Sequence, residues 1–319
     1  MRVINTGTSK VIVCRGAIAT ERRLLAEIDA LAPTEPADLG LPVRVIVPSR
    51  SLRLHLLRRL VEERGAAAGV IIQTLGGAAR EIAERAGMPD VVKPAGFDVL
   101  VRKLARDEAV LAAELDDLRD GYDAVLGAVR DLVDAGFGPD HDDAVLEKIT
   151  DLAGQVPPSN LERAAALVRV AATALVGAES ITGAHPRAAG FRLATEAIAD
   201  LGEPVLPSRG LLIHGFADLT GVAADLLEEI LKVLGGIVLL DRVPDPLRPA
   251  EDDPGNVFLE RIEMRFGALA RVTDTHGHTS PSIELCEAPD VEAEARWIAE
   301  SVRELLSADE APESIAPLT

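Results

Sequence analysis

Short apolar runs and helical repeats alternate along the first ninety residues. Val11-Ile12-Val13-Cys14 is a continuous apolar run, as expected of a strand buried on both faces. Thr20 is placed to cap the helix that follows, whose apolar face runs from Arg23 to Leu31. A proline-rich loop spans Pro33 to Pro42. Val43-Arg44-Val45-Ile46-Val47 reads as a second strand closed by Pro48, with Ser49 as the next N-cap. Leu52, Leu56, Leu57 and Leu60 then recur at helical spacing, with Arg50, Arg53, Arg58 and Arg59 between them. Gly69-Val70-Ile71-Ile72 is a third predicted strand, and Thr74 caps a helix through Ala83. Strands and helices alternating at these lengths imply right-handed crossovers and a parallel sheet.

From about Pro94 to Leu201 the strand signal nearly vanishes. Val99, Leu100, Leu104, Leu111, Leu115 and Leu118 fall at helical spacings, as do Val125, Val129, Leu132 and Val133, and again Leu161, Ala165, Val168 and Ala172. Pro157-Pro158 and Gly183-Ala184-His185-Pro186 punctuate them. The alternation then resumes. Gly210 to His214 is a strand, Thr220 caps a helix carrying Val222, Leu226, Leu227, Ile230 and Leu231, and Ile237 to Asp241 is another buried strand. A polar loop from Pro244 to Pro254 precedes a helix from about Asn256 to Leu269 and a loop from Thr273 to Pro281. Ser282 to Cys286 is a strand and Val291 to Leu306 a helix, with Trp297 at packing positions. Ile315 to Leu318 reads as the opening of a further strand, so the chain is expected to continue past Thr319.

The 319 residues suit about two domains, and 48% hydrophobic residues with only 3% aromatics imply an aliphatic core. The formal charge of -19 excludes a simple basic DNA-coating module. It is unevenly spread: residues 1–90 hold 13 basic and 10 acidic side chains, the remainder 20 and 42. The window Arg44 to Arg64 has six Arg and two Glu, which makes it the place to look for contact with an anion. Two cysteines, Cys14 and Cys286, exclude a disulfide scaffold or a four-cysteine zinc module and read as core thiols. No apolar stretch reaches membrane-spanning length and no signal peptide opens the chain, so no membrane partner and a cytoplasmic location are expected.

Ligands of such sheets bind at the carboxyl ends of the strands. A phosphate loop needs glycines, a Lys and a Ser/Thr. Cys14-Arg15-Gly16-Ala17-Ile18-Ala19-Thr20-Glu21 has one Gly, no Lys and a carboxylate, Glu21, where phosphate would arrive. At the other candidate corner, His214-Gly215-Phe216-Ala217-Asp218 has no acidic pair to hold a metal-bound water and activate an attacking one. Arg15, Gly16, Thr20, His214, Gly215 and Asp218 thus form at most a degenerate nucleotide site, with no cofactor expected. His276-Gly277-His278 lacks further ligands for a metal, and Asp116-Asp117 and Asp142-Asp143 read as solvated helix ends or loops. Pro48-Ser49-Arg50-Ser51 opens a helix whose first N–H groups, Ser hydroxyls and Arg50 or Arg53 suit a backbone phosphate, and Gln73-Thr74 ends the next strand in a similar way.

The ordered set resembles the N-terminal region of AddB/RexB-type subunits of helicase–nucleases, relatives of the UvrD-like superfamily 1 helicases. Val45-Ile46-Val47-Pro48-Ser49-Arg50-Ser51 resembles the family segment that contacts single-stranded DNA, and Ile72-Gln73-Thr74-Leu75 the following strand-to-helix motif. Leu212 to Thr220 is similar to the form such proteins carry where active helicases have Asp-Glu, and Val238-Leu239-Leu240-Asp241 falls where the next helicase strand would lie. Ala288 to Ala295 resembles the segment that opens a second motor-like domain, and Ile315 to Leu318 its next strand. The resemblance implies a RecA-like (P-loop-like) α/β domain over 1–93 and 202–281, an all-helical insertion over 94–201, and the start of a second RecA-like domain over 282–319. It also implies a DNA repair and recombination module without motor activity. The expected contacts are single-stranded or unwinding DNA, through Ser49, Arg50, Arg53, Gln73 and Thr74, and a motor subunit. The family's PD-(D/E)xK nuclease would lie beyond residue 319. The rival expectation is a divergent NTPase on the same fold.

Overall fold

The computed structural model describes residues 9–33, 39–88, 92–115, 120–181, 185–217, 219, 221–242, 258–260, 262–264, 270–273 and 287–308. The chain divides into two compact units, Met1–Gly277 and His278–Thr319.

The first unit is an α/β structure on a six-stranded sheet: β1 (Ser9–Arg15), β2 (Val43–Val47), β3 (Val70–Thr74), β4 (Gly210–His214), β5 (Gly236–Arg242) and β6 (Ala270–Thr273). The strand order is β3-β2-β4-β5-β1-β6, and every neighbouring pair is parallel. The apolar runs become strands because both sheet faces are covered. Ile12, Cys14, Val43, Val45, Val47, Ile72, Leu212 and Leu239 point to one face, under α1 (Ala17–Leu31) and α2 (Arg50–Arg64). Val11, Ile46, Leu211, Ile213, Val238 and Leu240 point to the other, which α3 (Leu75–Arg85) helps to cover.

Five helices then build a separate core: α4 (Pro94–Asp107), α5 (Ala109–Leu115), α6 (Gly121–Asp134), α7 (Asp142–Asp151) and α8 (Pro158–Ser180). Phe97, Val101, Val125, Val129 and Val133 pack against the alanine-rich stripe Ala171, Ala174 and Ala178 of α8. Asp142 and Asp143 lie in the first turn of α7, where the helix dipole favours them. Next, α9 (Arg187–Leu201) and α10 (Gly221–Leu234) return to the sheet with a helical stretch at 258–260 and 262–264. Ala194, Ala197 and Ile198 of α9 lie in the core beneath the sheet, whereas the sequence grouped α9 with the helical block. The block meets the sheet layer at Gly221, where a Cβ would fall 1.9 Å from the Asp134 carbonyl and φ is +55°.

Two expectations change. The helix after β1 starts at Ala17, so Thr20 lies inside it and does not cap it. Ala270–Thr273, where the sequence predicts no strand and starts a loop at Thr273, pairs with β1 as an edge strand. Several expectations fall outside the described residues: Asp116-Asp117, the punctuation at 183–184, Asp218, the Thr220 cap, the Pro244–Pro254 loop, His276, His278, the Ser282–Cys286 strand and Ile315–Leu318.

In the second unit, α11 (Val291–Ser307) is capped by Asp290, whose carboxylate accepts from the Ala293 N–H at 2.7 Å. Trp297 and Ile298 lie mid-helix. No helix among the described residues is long and apolar enough to cross a membrane.

The topology sets where a ligand can sit. The helix leaving β2 lies on one face and the helix leaving the adjacent β4 on the other. Neighbouring strands that part in this way leave a crevice at their carboxyl ends.

Candidate nucleic-acid interface

Pro48 ends β2 because it has no N–H for the ladder. Ser49 is extended, and its hydroxyl accepts from the Leu52 N–H at 3.2 Å. One strand over, in register with Val47, Thr74 accepts from the Gly77 N–H at 3.1 Å. Both predicted caps are therefore in place. Two helix N-termini, each with the positive end of its dipole outward, lie side by side at the carboxyl edge of β2 and β3.

The six arginines from Arg44 to Arg64 separate into two groups. Arg58 Nε donates to Glu62 at 2.8 Å, and Arg64 Nε lies 2.9 Å from an Asp29 oxygen on α1. Arg59 reaches Glu21 of α1 at 2.8 Å and Glu63 at 2.6 Å. Arg44 is buried and held by Glu81 at 2.7 Å through two nitrogens, with its Nε donating to the Pro207 carbonyl at 2.8 Å. Arg50 and Arg53 have no carboxylate partner among the described residues, and Arg53 Nε makes no hydrogen bond there. These two lie in the first turn of α2, beside Ser49.

Gln73 belongs to the Arg44 network. In the amide orientation that satisfies both neighbours, its nitrogen faces Glu81 Oε2 and its oxygen faces Arg44 Nη1, each at 3.3 Å. Burial raises the Glu81 carboxyl, but Arg44 and Arg85 outweigh it and hold the group below the usual carboxylate range. Of the five residues expected to meet DNA, Ser49, Arg50, Arg53 and Thr74 thus share one rim, while Gln73 braces β2, β3 and α3 from below.

The corner after β1 is arranged differently. Gly16 has φ +89° and α1 starts without a side-chain cap. Thr20 is fully buried, and its hydroxyl donates to the Gly16 carbonyl at 3.0 Å. Arg15 is exposed at the strand end. Glu21 turns toward α2, where its carboxylate takes His55 Nε2 at 2.6 Å and Arg59 Nε at 2.8 Å. Burial raises the Glu21 carboxyl, yet the bonds from His55 and Arg59 more than offset it and bring it below its ordinary value.

His214 ends β4 between these corners. Its Nδ1 is buried without a hydrogen-bond partner among the described residues, and burial pushes the imidazole down to about 4, so it is neutral at pH 7. Gly215 follows with φ +80°, where a Cβ would fall 2.3 Å from Leu52 Cδ2. That close approach sets the β4 loop against the first turn of α2. His214 and Gly215 therefore adjoin the arginine rim, while Gly16 and Thr20 lie beyond β5.

The sequence reading missed Glu81, His55 and the position of Glu21 between the helices. Arg44 inside an apolar strand was the available signal, since a buried guanidinium requires a carboxylate. No family model matches the chain, and no curated protein matches it.

Proposed function

We propose that this chain is a helicase-like module without motor chemistry, which contacts single-stranded DNA at the β2–α2 and β3–α3 edge and works beside a motor subunit of a repair helicase–nuclease. The observation that carries the DNA contact is the pairing pattern of the window Arg44 to Arg64: among the described residues, carboxylates take four of its six arginines and leave Arg50 and Arg53 at a capped helix start. Unpaired guanidinium groups beside outward-facing N–H groups suit phosphodiester oxygens. The RecA-like reading is supported by the sheet. β1 and β4, which end in the two candidate nucleotide corners, lie either side of β5 with their carboxyl ends on one edge, and a helical block enters between α3 and β4. The lack of motor chemistry is supported by Thr20 turned inward and by a neutral His214 at the second corner.

The test is anisotropy of a labelled oligo(dT) across a salt series. Wild type binds with a salt-dependent affinity. Arg50→Ala with Arg53→Ala weakens it and flattens the log–log slope by about 1.4, roughly 0.7 for each phosphate that is no longer held. Binding that is indifferent to this double change rules out the surface.

A further inference from the structure

We propose that the Glu21 carboxylate is an internal stand-in for phosphate: it fills a seat made by the His55 ring and the Arg59 guanidinium and so confines the anion-binding reach of α2 to Arg50 and Arg53. The inference rests on the DNA-contact reading and adds a control to it.

Three observations lead there. The carboxylate is held through both oxygens, Oε2 by His55 Nε2 at 2.6 Å and Oε1 by Arg59 Nε at 2.8 Å, as two N–H donors would hold a phosphodiester. The seat opens outward, since the His55 and Arg59 side chains are 51% and 36% exposed while that of Glu21 is only 19% exposed. The occupant also comes from another helix. Glu62 and Glu63, which touch Arg59 too, are neighbours on α2 at ordinary helical spacing, whereas Glu21 reaches over from α1. His55 and Arg59 follow Arg50 along α2 by about 7.5 and 13.5 Å at 1.5 Å per residue, and at 3.6 residues per turn they lie about 140° and 180° around the axis from it, so the seat is a second site on α2 and not a continuation of the Arg50 rim.

The experiment compares oligo(dT) binding across a salt series for wild type, Glu21→Gln, and Glu21→Gln combined with His55→Gln and Arg59→Gln. Removing the carboxylate should raise affinity at low salt and steepen the slope by no more than about 0.7, as one further phosphate is held while Glu62 and Glu63 stay on Arg59. The triple variant should return to the wild-type slope. A Glu21→Gln slope no steeper than wild type overturns the proposal. So does a gain that survives in the triple variant, whose formal net charge equals that of wild type, because the gain would then not come from His55 and Arg59. Glu21→Ala, read in the same way with its melting temperature, guards against a misfolded Gln variant, and a gain in binding is not something misfolding produces. Failure of the underlying reading looks different: wild type then binds no oligo(dT), or binds it regardless of Arg50 and Arg53. If wild type is silent but Glu21→Gln binds and the triple variant does not, the seat stands without that reading. If none of the three binds, both fall.

Discussion

The turn after β1 and the turn after β2 leave the same edge of one parallel sheet, and each leads into a 15-residue helix on the same face. Their first turns are chemically opposite. After β1, the helix begins at an uncapped Gly16, folds the Thr20 hydroxyl back onto its own backbone and sends Glu21 to neutralise its neighbour. After β2, Ser49 caps the helix, and among the described residues Arg50 and Arg53 remain without carboxylates. α1 supplies acids to the seam between the helices, Glu21 and Asp29, and α2 supplies bases, His55, Arg59 and Arg64. Geometry shared by two turns therefore does not make two anion sites; the charge left over after internal pairing decides which turn can take one.

The largest test of this contrast separates paired from unpaired arginine. Arg44→Ala leaves Glu81 charged and partly buried and strips the brace under β2 and α3, so it should cost about 3 kcal/mol. Arg50→Ala, on the same strand–helix unit, should stay within about 0.5 kcal/mol. Urea denaturation midpoints give both. Equal costs would mean that Arg50 is as firmly partnered as Arg44 and has no charge to spare for a phosphate.

Nearly as large is a pH effect at His214, which lies between the two turns. Its folded value of about 4 lies below the ordinary 6.5, so the unfolded chain takes up the proton first as pH falls. Stability contributed by the neutral imidazole is complete above about pH 6.5 and is lost progressively down to about 4. That loss is about 3 kcal/mol, at roughly 1.36 kcal/mol for each pH unit between the two values. Glu21 and Glu81 have depressed carboxyls, so their stabilisation persists to more acidic pH and is lost only below the usual carboxylate range. A His214→Asn protein should lose the slope between pH 6.5 and 4 and keep the acid limb. An unchanged slope would show that His214 is hydrated or paired in solution.

How far the contrast was legible in the sequence depends on the range of each interaction. β1 to β5 could be read because continuous apolar runs are bounded by Gly and Pro, and the Ser49 and Thr74 caps because their partners lie three residues away. The i,i+4 pairs that take up Arg58 and Arg59 are also local. The start of α1 was misread because Thr20 is a good cap by type, while the turn made at Gly16 left no side-chain signal. β6 was missed because Ala-Arg-Val-Thr is a short edge strand with an Arg in it and its partner lies far back in the chain. Glu81, 37 residues from Arg44, and Glu21, 34 residues from His55, were out of reach because only the fold brings them together.

A smaller effect compares the two hydroxyls. Ser49→Ala removes the cap of α2 and should cost about 1 kcal/mol. Thr20→Val should be close to neutral, because the Gly16 carbonyl still accepts the Thr20 N–H at 3.1 Å and the methyl fills the same space. Thermal melts of the two variants check this. A Thr20→Val cost as large as that of Ser49→Ala would make Thr20 a structural equal of the cap.

The smallest expected effect is none: ATP with magnesium, at millimolar concentration, should leave the wild-type melting temperature unchanged. A ligand present at about 100 times its Kd adds about 2.7 kcal/mol to stability, which a melt resolves easily. The turn after β1 offers a triphosphate a single glycine, no lysine and a hydroxyl already bonded inward, and the residue after that hydroxyl carries a negative charge. A clear stabilisation of wild type would restore the enzyme reading and erase the difference between the two turns. Glu21→Gln in the same melt then sharpens the result. If it gains a stabilisation that wild type lacks, the carboxylate alone bars the phosphates. If it does not, the missing lysine and glycines are sufficient, and the charge of Glu21 matters only where it meets α2.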